Sequence, residues 1–215
     1  MIRRGIDFAV AVVGLVVLSP LFLAIALVVR LALGSPVLFR QVRAGRHGQP
    51  FTIYKFRSMH NSPVMVDPGS DDALRLTKVG SFLRSTSLDE LPELINILRG
   101  DMSLVGPRPL LPEYVERYSP EQARRLEVRP GLTGYAQVKG RNALSWEERF
   151  ALDVYYVDHQ SLWFDLRILV LTVVQVVKRD GISAEGYVTC PVFLGTSAAG
   201  PSSAGPSAER PDIES

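Results

Sequence analysis

The longest apolar stretch of the chain covers residues 8–29 and carries no charge. As a straight helix, rising ~1.5 Å per residue, it would reach about 33 Å, enough to cross a bilayer core. Ser19-Pro20 falls near its middle, where proline removes a hydrogen-bond donor and kinks a helix. Cations flank both ends: Arg3 and Arg4 before it, then Arg30, Arg40, Arg43 and Arg46 after it. The positive-inside tendency asks for both ends on one face of the membrane. A helix that enters, turns at Ser19-Pro20 and leaves by the same face satisfies both observations, and a kinked spanning helix is the alternative. The Ser19 hydroxyl is placed to satisfy a carbonyl freed at the break. The run is long for a secretion signal, and no small-x-small cleavage site follows it.

Beyond this run the pattern changes period. Residues 37–42 and 51–56 read as two short strands, joined by the turn Arg43-Ala44-Gly45-Arg46-His47-Gly48. Lys55 and Arg57 are two apart, so an extended chain puts them on one side. Residues 61–72 read as a polar loop. A helix is expected from Ser87, with Leu88, Leu91, Leu94, Ile95 and Leu98 on one face and Gly100 at its end. Val105-Gly106-Pro107-Arg108-Pro109 reads as a stiff extended loop, and residues 129–134 as another. Residues 112–126 read as a helix or helix-turn-helix, and residues 146–159 as a helix. Residues 162–177 are apolar but too few to span comfortably, so they form a core helix or one lying in the membrane interface, with Trp163 and Phe164 at headgroup depth. The Ser, Ala, Gly and Pro of residues 196–215 read as a disordered tail.

Length and composition then narrow the class. The chain has 215 residues, 47% of them hydrophobic, which suits one core-forming domain. Cys190 is the only cysteine, so a disulfide scaffold and a cysteine metal cluster are excluded. Residues 1–60 hold eight Lys and Arg against the single acid Asp7, whereas the remainder is net acidic. A basic first quarter around an apolar run points to an anionic neighbour such as lipid headgroups or a phosphorylated substrate. Nucleic acid is not an expected partner, because no recognised binding module accompanies the charge.

The densest polar constellation is Ser87-Leu88-Asp89-Glu90-Leu91-Pro92-Glu93. Ser87 with Glu90 has the spacing of a capping box, and Asp89 would favour the positive end of a helix dipole. The same placement keeps a carboxylate ionised next to bound phosphate, where it can attack phosphorus. Arg108 lies between two prolines that fix its backbone, and arginine suits bidentate phosphate contact. Arg84, Arg141 and Lys139 are weaker candidates of the same kind. The chain has no phosphate-loop, zinc-protease or nucleophile-elbow motif. Adjacent carboxylates on one helix are poorly placed to flank a glycosidic bond, which disfavours a glycoside hydrolase. The competing class is a membrane-anchored scaffold that binds anionic lipid, with Asp89 and Glu90 as caps only.

Several strings together resemble one family. They are Arg3-Arg4-Gly5-Ile6-Asp7, the apolar run with Ser19-Pro20, Tyr54-Lys55-Phe56-Arg57-Ser58-Met59, the stretch from Leu83 to Glu93, and the stretch from Asn96 through Gly106-Pro107-Arg108-Pro109. Arg129-Pro130-Gly131-Leu132-Thr133-Gly134 and Gly140-Arg141-Asn142 complete the set. The chain resembles the small monotopic phosphoglycosyl transferases, the bacterial sugar transferase family, over about residues 1–195. The resemblance implies an α+β fold that is mainly helical. Its parts would be a re-entrant membrane helix over residues 1–36, broken at Ser19-Pro20, and a catalytic domain over residues 37–195 with a short β-hairpin. Amphipathic interfacial helices would surround an active site on the cytoplasmic face of the inner membrane. It implies transfer of a sugar 1-phosphate from a UDP-sugar to undecaprenyl phosphate, with UMP leaving, as the first membrane step of surface glycan assembly. Downstream glycosyltransferases would then be partners. Asp89 would be the nucleophile and a Mg²⁺ ligand, Glu90 its acid/base or orienting partner, and Arg108 a phosphate holder, with Lys55, Arg57, Arg84 and Arg141 adding positive charge. The ending Gly181-Ile182-Ser183-Ala184-Glu185-Gly186, with Thr189 and Phe193, resembles members that carry acetamido sugars.

Overall fold

Proline divides the apolar run into two helices. The computed structural model describes residues 2–60, 75–140, 144–178 and 192–195. Helix α1 (Ile2–Val17) and helix α2 (Ser19–Leu33) are bent by 63° at the break. Pro20 has no N–H to offer the carbonyl one turn back, that of Val16. The Ser19 hydroxyl donates to that carbonyl instead, at 2.8 Å. Among the described residues, no single helix is long and apolar enough to cross a membrane. Many apolar side chains of the pair are exposed, including Val13, Val16, Leu23 and Leu31.

Strands β1 (Leu38–Ala44) and β2 (Pro50–Phe56) form an antiparallel hairpin that pairs Leu38 with Phe56 and Ala44 with Pro50. Both expected strands are present, each seven residues long rather than six, with β1 shifted toward the turn. Helix α3 (Lys78–Ser85) follows, capped by Thr77, whose side chain accepts from the Gly80 amide. Residues 88–90 then make a tight 3-10 turn, and helix α4 runs over Glu93–Arg99. The helix expected from Ser87 therefore starts six residues late. Ser87 itself has φ 56° and makes no cap hydrogen bond. Pro92 is the physical reason: it cannot donate to the Leu88 carbonyl, so a regular turn cannot run through it. Gly100, at φ 93°, ends α4 as expected.

Strands β3 (Ser103–Val105) and β4 (Gly131–Thr133) pair in parallel. Neither reads as a strand from the sequence, because three residues are too few to show a period. The contact is backbone on backbone. A Cβ on Gly131 would lie 2.1 Å from the Gly106 nitrogen, and one on Gly134 would lie 2.2 Å from the Gly106 oxygen. Glycine is required there for the close approach. Residues 112–126 fold as 3-10 turns around the short helix α5 (Pro120–Ala123). Helix α6 covers Tyr135–Lys139. Helix α7 (Trp146–Asp158) opens with a complete capping box of Ser145 and Glu148, and helix α8 covers Leu162–Lys178.

The central core gathers Ala11, Ile53, Leu94, Ile97, Tyr156 and Ile168 from α1, β2, α4, α7 and α8, with Met102 from the turn between α4 and β3. A second cluster joins Ile25, Val29 and Leu33 of α2 to Phe56 and Leu83. In the third, Phe193 packs with Leu110, Tyr114 and Phe150. Helix α8 divides its faces. Ile168 is buried, Thr172 bonds Thr133, and Gln175 bonds the Val138 carbonyl. Trp163 on its other side is 76% exposed, with Leu166, Val170 and Val173 also exposed. The loop expected over residues 61–72 and the tail over residues 196–215 lie outside the described residues.

Candidate active site

Three carboxylates and a set of cations meet where β2, the 88–90 turn and α4 converge. Asn96, fully buried on α4, sets the meeting point. Its Oδ1 accepts from the Tyr54 amide at 3.2 Å, and its Nδ2 donates to the Thr52 carbonyl at 2.7 Å. One side chain thus pairs with the outer edge of β2 as a neighbouring strand would. Lys55, next along that strand, is thereby fixed against α4. Its Nζ lies 2.5 Å from Glu90 Oε1 and 3.1 Å from Glu93 Oε1. Arg108 reaches the same Glu90 oxygen at 2.8 Å. Arg108 is aimed from the loop after β3, whose Gly106 amide bonds the Thr133 carbonyl and whose Pro107 carbonyl accepts from Gly131. Behind it, buried Arg125 donates to the Arg108 carbonyl at 2.7 Å and is itself paired with Asp153 at 2.8 Å.

Asp89 differs from the other two acids. It is buried, yet among the described residues no hydrogen bond or ion pair engages its carboxylate. Burial, then the neighbouring Glu90 charge, push it up to about 6, against the pull of Lys55, Arg84 and Arg108. Burial also acts on Glu90, but Arg108 and Lys55 outweigh it and hold Glu90 well below the usual carboxylate range. Burial raises Glu93 to about 7 despite Lys55. The Glu90 charge holds Arg108 above the usual arginine range. The cluster therefore contains one firmly ionised acid bound to two cations, and one uncommitted acid beside it. Among the described residues no three His, Cys, Asp or Glu gather as a metal site. A hard divalent cation that takes one protein carboxylate, with phosphate and water oxygens for the rest, fits Asp89.

A family model described as "Bacterial sugar transferase" matches residues 1–179. The chain belongs to that family. It is 50% identical over 196 residues to the "Uncharacterized sugar transferase EpsL" of Bacillus subtilis (strain 168), covering 91% of this chain and 97% of that protein. It is 42% identical to the "UDP-glucose:undecaprenyl-phosphate glucose-1-phosphate transferase" of Caulobacter vibrioides, over 83% of this chain and 70% of that one. Against the "Undecaprenyl-phosphate galactose phosphotransferase" of Salmonella typhimurium the identity is 39%, over 84% of this chain but only 41% of that protein's length.

In this sugar transferase the site residues expected from sequence divide. Asp89, Glu90, Lys55 and Arg108 come together. Arg84, half-buried on α3, acts on Asp89 from the side and places Nη1 3.9 Å from Met59 Sδ. Arg57 does not join them. Strand β2 ends at Phe56, so the alternation that would have paired Arg57 with Lys55 stops there. Its buried guanidinium instead donates to the Leu33 and Ser35 carbonyls, holding the end of α2. Arg141 lies outside the described residues. Lys139 rests 5.6 Å from the Tyr135 ring. Three residues were missed by sequence reasoning: Glu93, Asn96 and Arg43. Glu93 had a signal, being an acid one turn from Glu90. Asn96 had no such signal, since it lies across the helix from the face of Leu91, Leu94 and Leu98. Arg43 read as a turn residue.

Proposed function

We propose that the chain transfers a sugar 1-phosphate from a UDP-sugar to undecaprenyl phosphate, through a covalent intermediate on Asp89. The observation that carries this reading is the uncommitted Asp89 carboxylate beside a fixed row of cations. In the first half-reaction an Asp89 oxygen attacks the sugar-bearing phosphorus. The bond between that phosphorus and the bridging oxygen breaks, and UMP leaves with the electron pair. In the second, a phosphate oxygen of undecaprenyl phosphate attacks the same phosphorus, and the acyl phosphate bond to Asp89 breaks. Phosphoryl transfer depends on positioning and on positive charge around the equatorial oxygens. Arg108 and Lys55 supply that charge, held in place by Glu90, which orients them. Asp89 would hold Mg²⁺, which when bound adds charge at the diphosphate. The two relatives named for this chemistry support the same reading.

A membrane placement belongs to the same proposal. The bent pair α1–α2 enters and leaves by the cytoplasmic face, and the exposed apolar side of α8 lies in the interface. The protein is then monotopic in the inner membrane, with its site where UDP-sugars are. The donor sugar is a narrower matter. The acetamido expectation rests on residues 181–186 and 189, outside the described residues, and on Phe193, which is buried among Tyr114, Trp146 and Phe150. The two transferases described above are named for hexoses, glucose and galactose.

The test is nucleotide release from detergent-solubilised protein with Mg²⁺, undecaprenyl phosphate and a panel of UDP-hexoses and UDP-acetamido sugars. UMP is expected, dependent on Mg²⁺. Asp89→Asn should lose turnover by about a thousandfold or more while keeping its fold, because it removes a carboxylate that burial already disfavours. Release of UDP would overturn the mechanism. A folded protein that releases neither nucleotide would favour the membrane-anchored scaffold.

A further inference from the structure

Among the described residues, Arg43 is a cation on the active-site side of the hairpin with no ion pair of its own. The register pairs Phe39 with Lys55 and Arg43 with Phe51, so Arg43 and Lys55 project from one face of the two strands. The Ala44 amide donates to the Leu110 carbonyl at 2.9 Å, which draws this end of β1 against the Pro-Arg-Pro segment. Ala44, Gly45 and Arg108 line one small hollow there. Among the described residues, the Arg43 guanidinium has one hydrogen-bond partner, Gln41 Oε1 at 2.5 Å, and no ion pair. Arg108 is tied to Glu90, whereas Arg43 keeps most of its donors unused. Holding two guanidiniums together is unfavourable unless an anion lies between them. Burial, then the Arg108 charge, lower Arg43 to about 10, so it stays protonated at neutral pH and the repulsion persists.

The cations that act on Asp89 are Lys55, Arg84 and Arg108. The charges that act on Arg43 are Arg108 and Glu93. Arg108 is therefore common to both neighbourhoods. A diphosphate whose transferred phosphorus is attacked by Asp89 carries a second phosphate one bridging oxygen away, and that phosphate needs cations of its own.

We infer that Arg43, together with Arg108, binds the nucleotide phosphate that leaves as UMP. This rests on the transfer proposed above and adds to it a binding residue for the leaving group. When the bridging bond breaks, the negative charge passes to the UMP phosphate, where two guanidiniums balance it. The acceptor, a lipid phosphate, has similar chemistry, so the experiment separates the two.

Thermal unfolding of the full solubilised chain is measured with UMP and with uridine. UMP should raise the wild-type melting temperature and uridine should not. Arg43→Gln should abolish the UMP shift, yet melt no lower than wild type without ligand, because it relieves the repulsion. In turnover its inhibition constant for UMP should rise about tenfold or more, with KM for undecaprenyl phosphate unchanged. Arg43→Lys keeps the charge but loses the planar fork, and should show an intermediate loss. An unaltered UMP shift in both variants would overturn the inference. So would a raised KM for the lipid phosphate with the UMP constant unchanged. Wild-type protein that binds UMP through Arg43 but turns over no UDP-sugar would sink the proposed reaction and leave the nucleotide site standing.

Discussion

Glu93 is 2% exposed and shares Lys55 with Glu90. Burial raises it from an ordinary 4.5 to about 7. A carboxyl raised in the fold contributes stability that is fully present below its unfolded value, and that stability is lost as pH rises through about 7. The difference is worth on the order of 3 kcal/mol. Glu93→Gln, neutral at every pH, should remove this contribution. Between pH 5 and 8 the wild-type melting temperature should fall more steeply than that of the variant, read by calorimetry on the same preparation. Arg57 calls for the opposite kind of test. It holds the Leu33 and Ser35 carbonyls and touches none of the active-site acids. Arg57→Met should therefore lower stability by about 1–3 kcal/mol while leaving KM for the UDP-sugar unchanged. The place of Asp89, Glu90 and Arg108 in one charged site was expected from residue type and from the family resemblance, with their roles resting on the resemblance alone. The place of Arg57 was not, because strand β2 stops one residue before it.

At the scale of the element, the break at residues 19–20 was readable in full. Proline removes a donor, serine replaces it, and the Ser19–Val16 bond is the result. Pro20→Ala restores the N–H, and the pair should then continue as one helix of about 48 Å at ~1.5 Å per residue. Such a helix is long enough to span. A cysteine near residue 2 should lose its reactivity toward a cytoplasmic-side label in the variant and keep it in wild type. Residues 87–93 show the reverse case. The spacing Ser87 to Glu90 satisfies a capping box on paper, but Pro92 stops the helix from including it. The short strands β3 and β4 carry no period of their own. Their pairing depends on glycines at positions 106, 131 and 134 that let two backbones touch.

Across the whole molecule, the bent helix pair and the candidate site are joined by polar bonds. Asp7 of α1 accepts from the Ser103 hydroxyl at 2.7 Å and the Leu104 amide at 3.1 Å, at the start of the strand that leads to Arg108. Arg4 donates to the Ile97 and Leu98 carbonyls at the end of α4. Asp7→Ala leaves the buried Leu104 amide unpaired, at a cost of about 1–3 kcal/mol. Hydrogen exchange at Leu104 should accelerate in the variant. Arg125 and Asp153, both buried, form a second long-range tie that holds the Arg108 carbonyl. Asp153→Ala strands a buried guanidinium and should cost about 3–5 kcal/mol, seen as a large fall in melting temperature. The sequence by itself determined the apolar run and its break, the hairpin, and the residue types that a phosphoryl-transfer site requires. These are local matters of period, proline chemistry and charge. Which cation faces which acid depended on tertiary contact. Asn96 must reach the edge of β2 before Lys55 meets Glu90, and β1 must lie along the Arg108 loop before Arg43 becomes a neighbour. Such pairings join residues far apart in the chain, and spacing along a sequence holds no record of them.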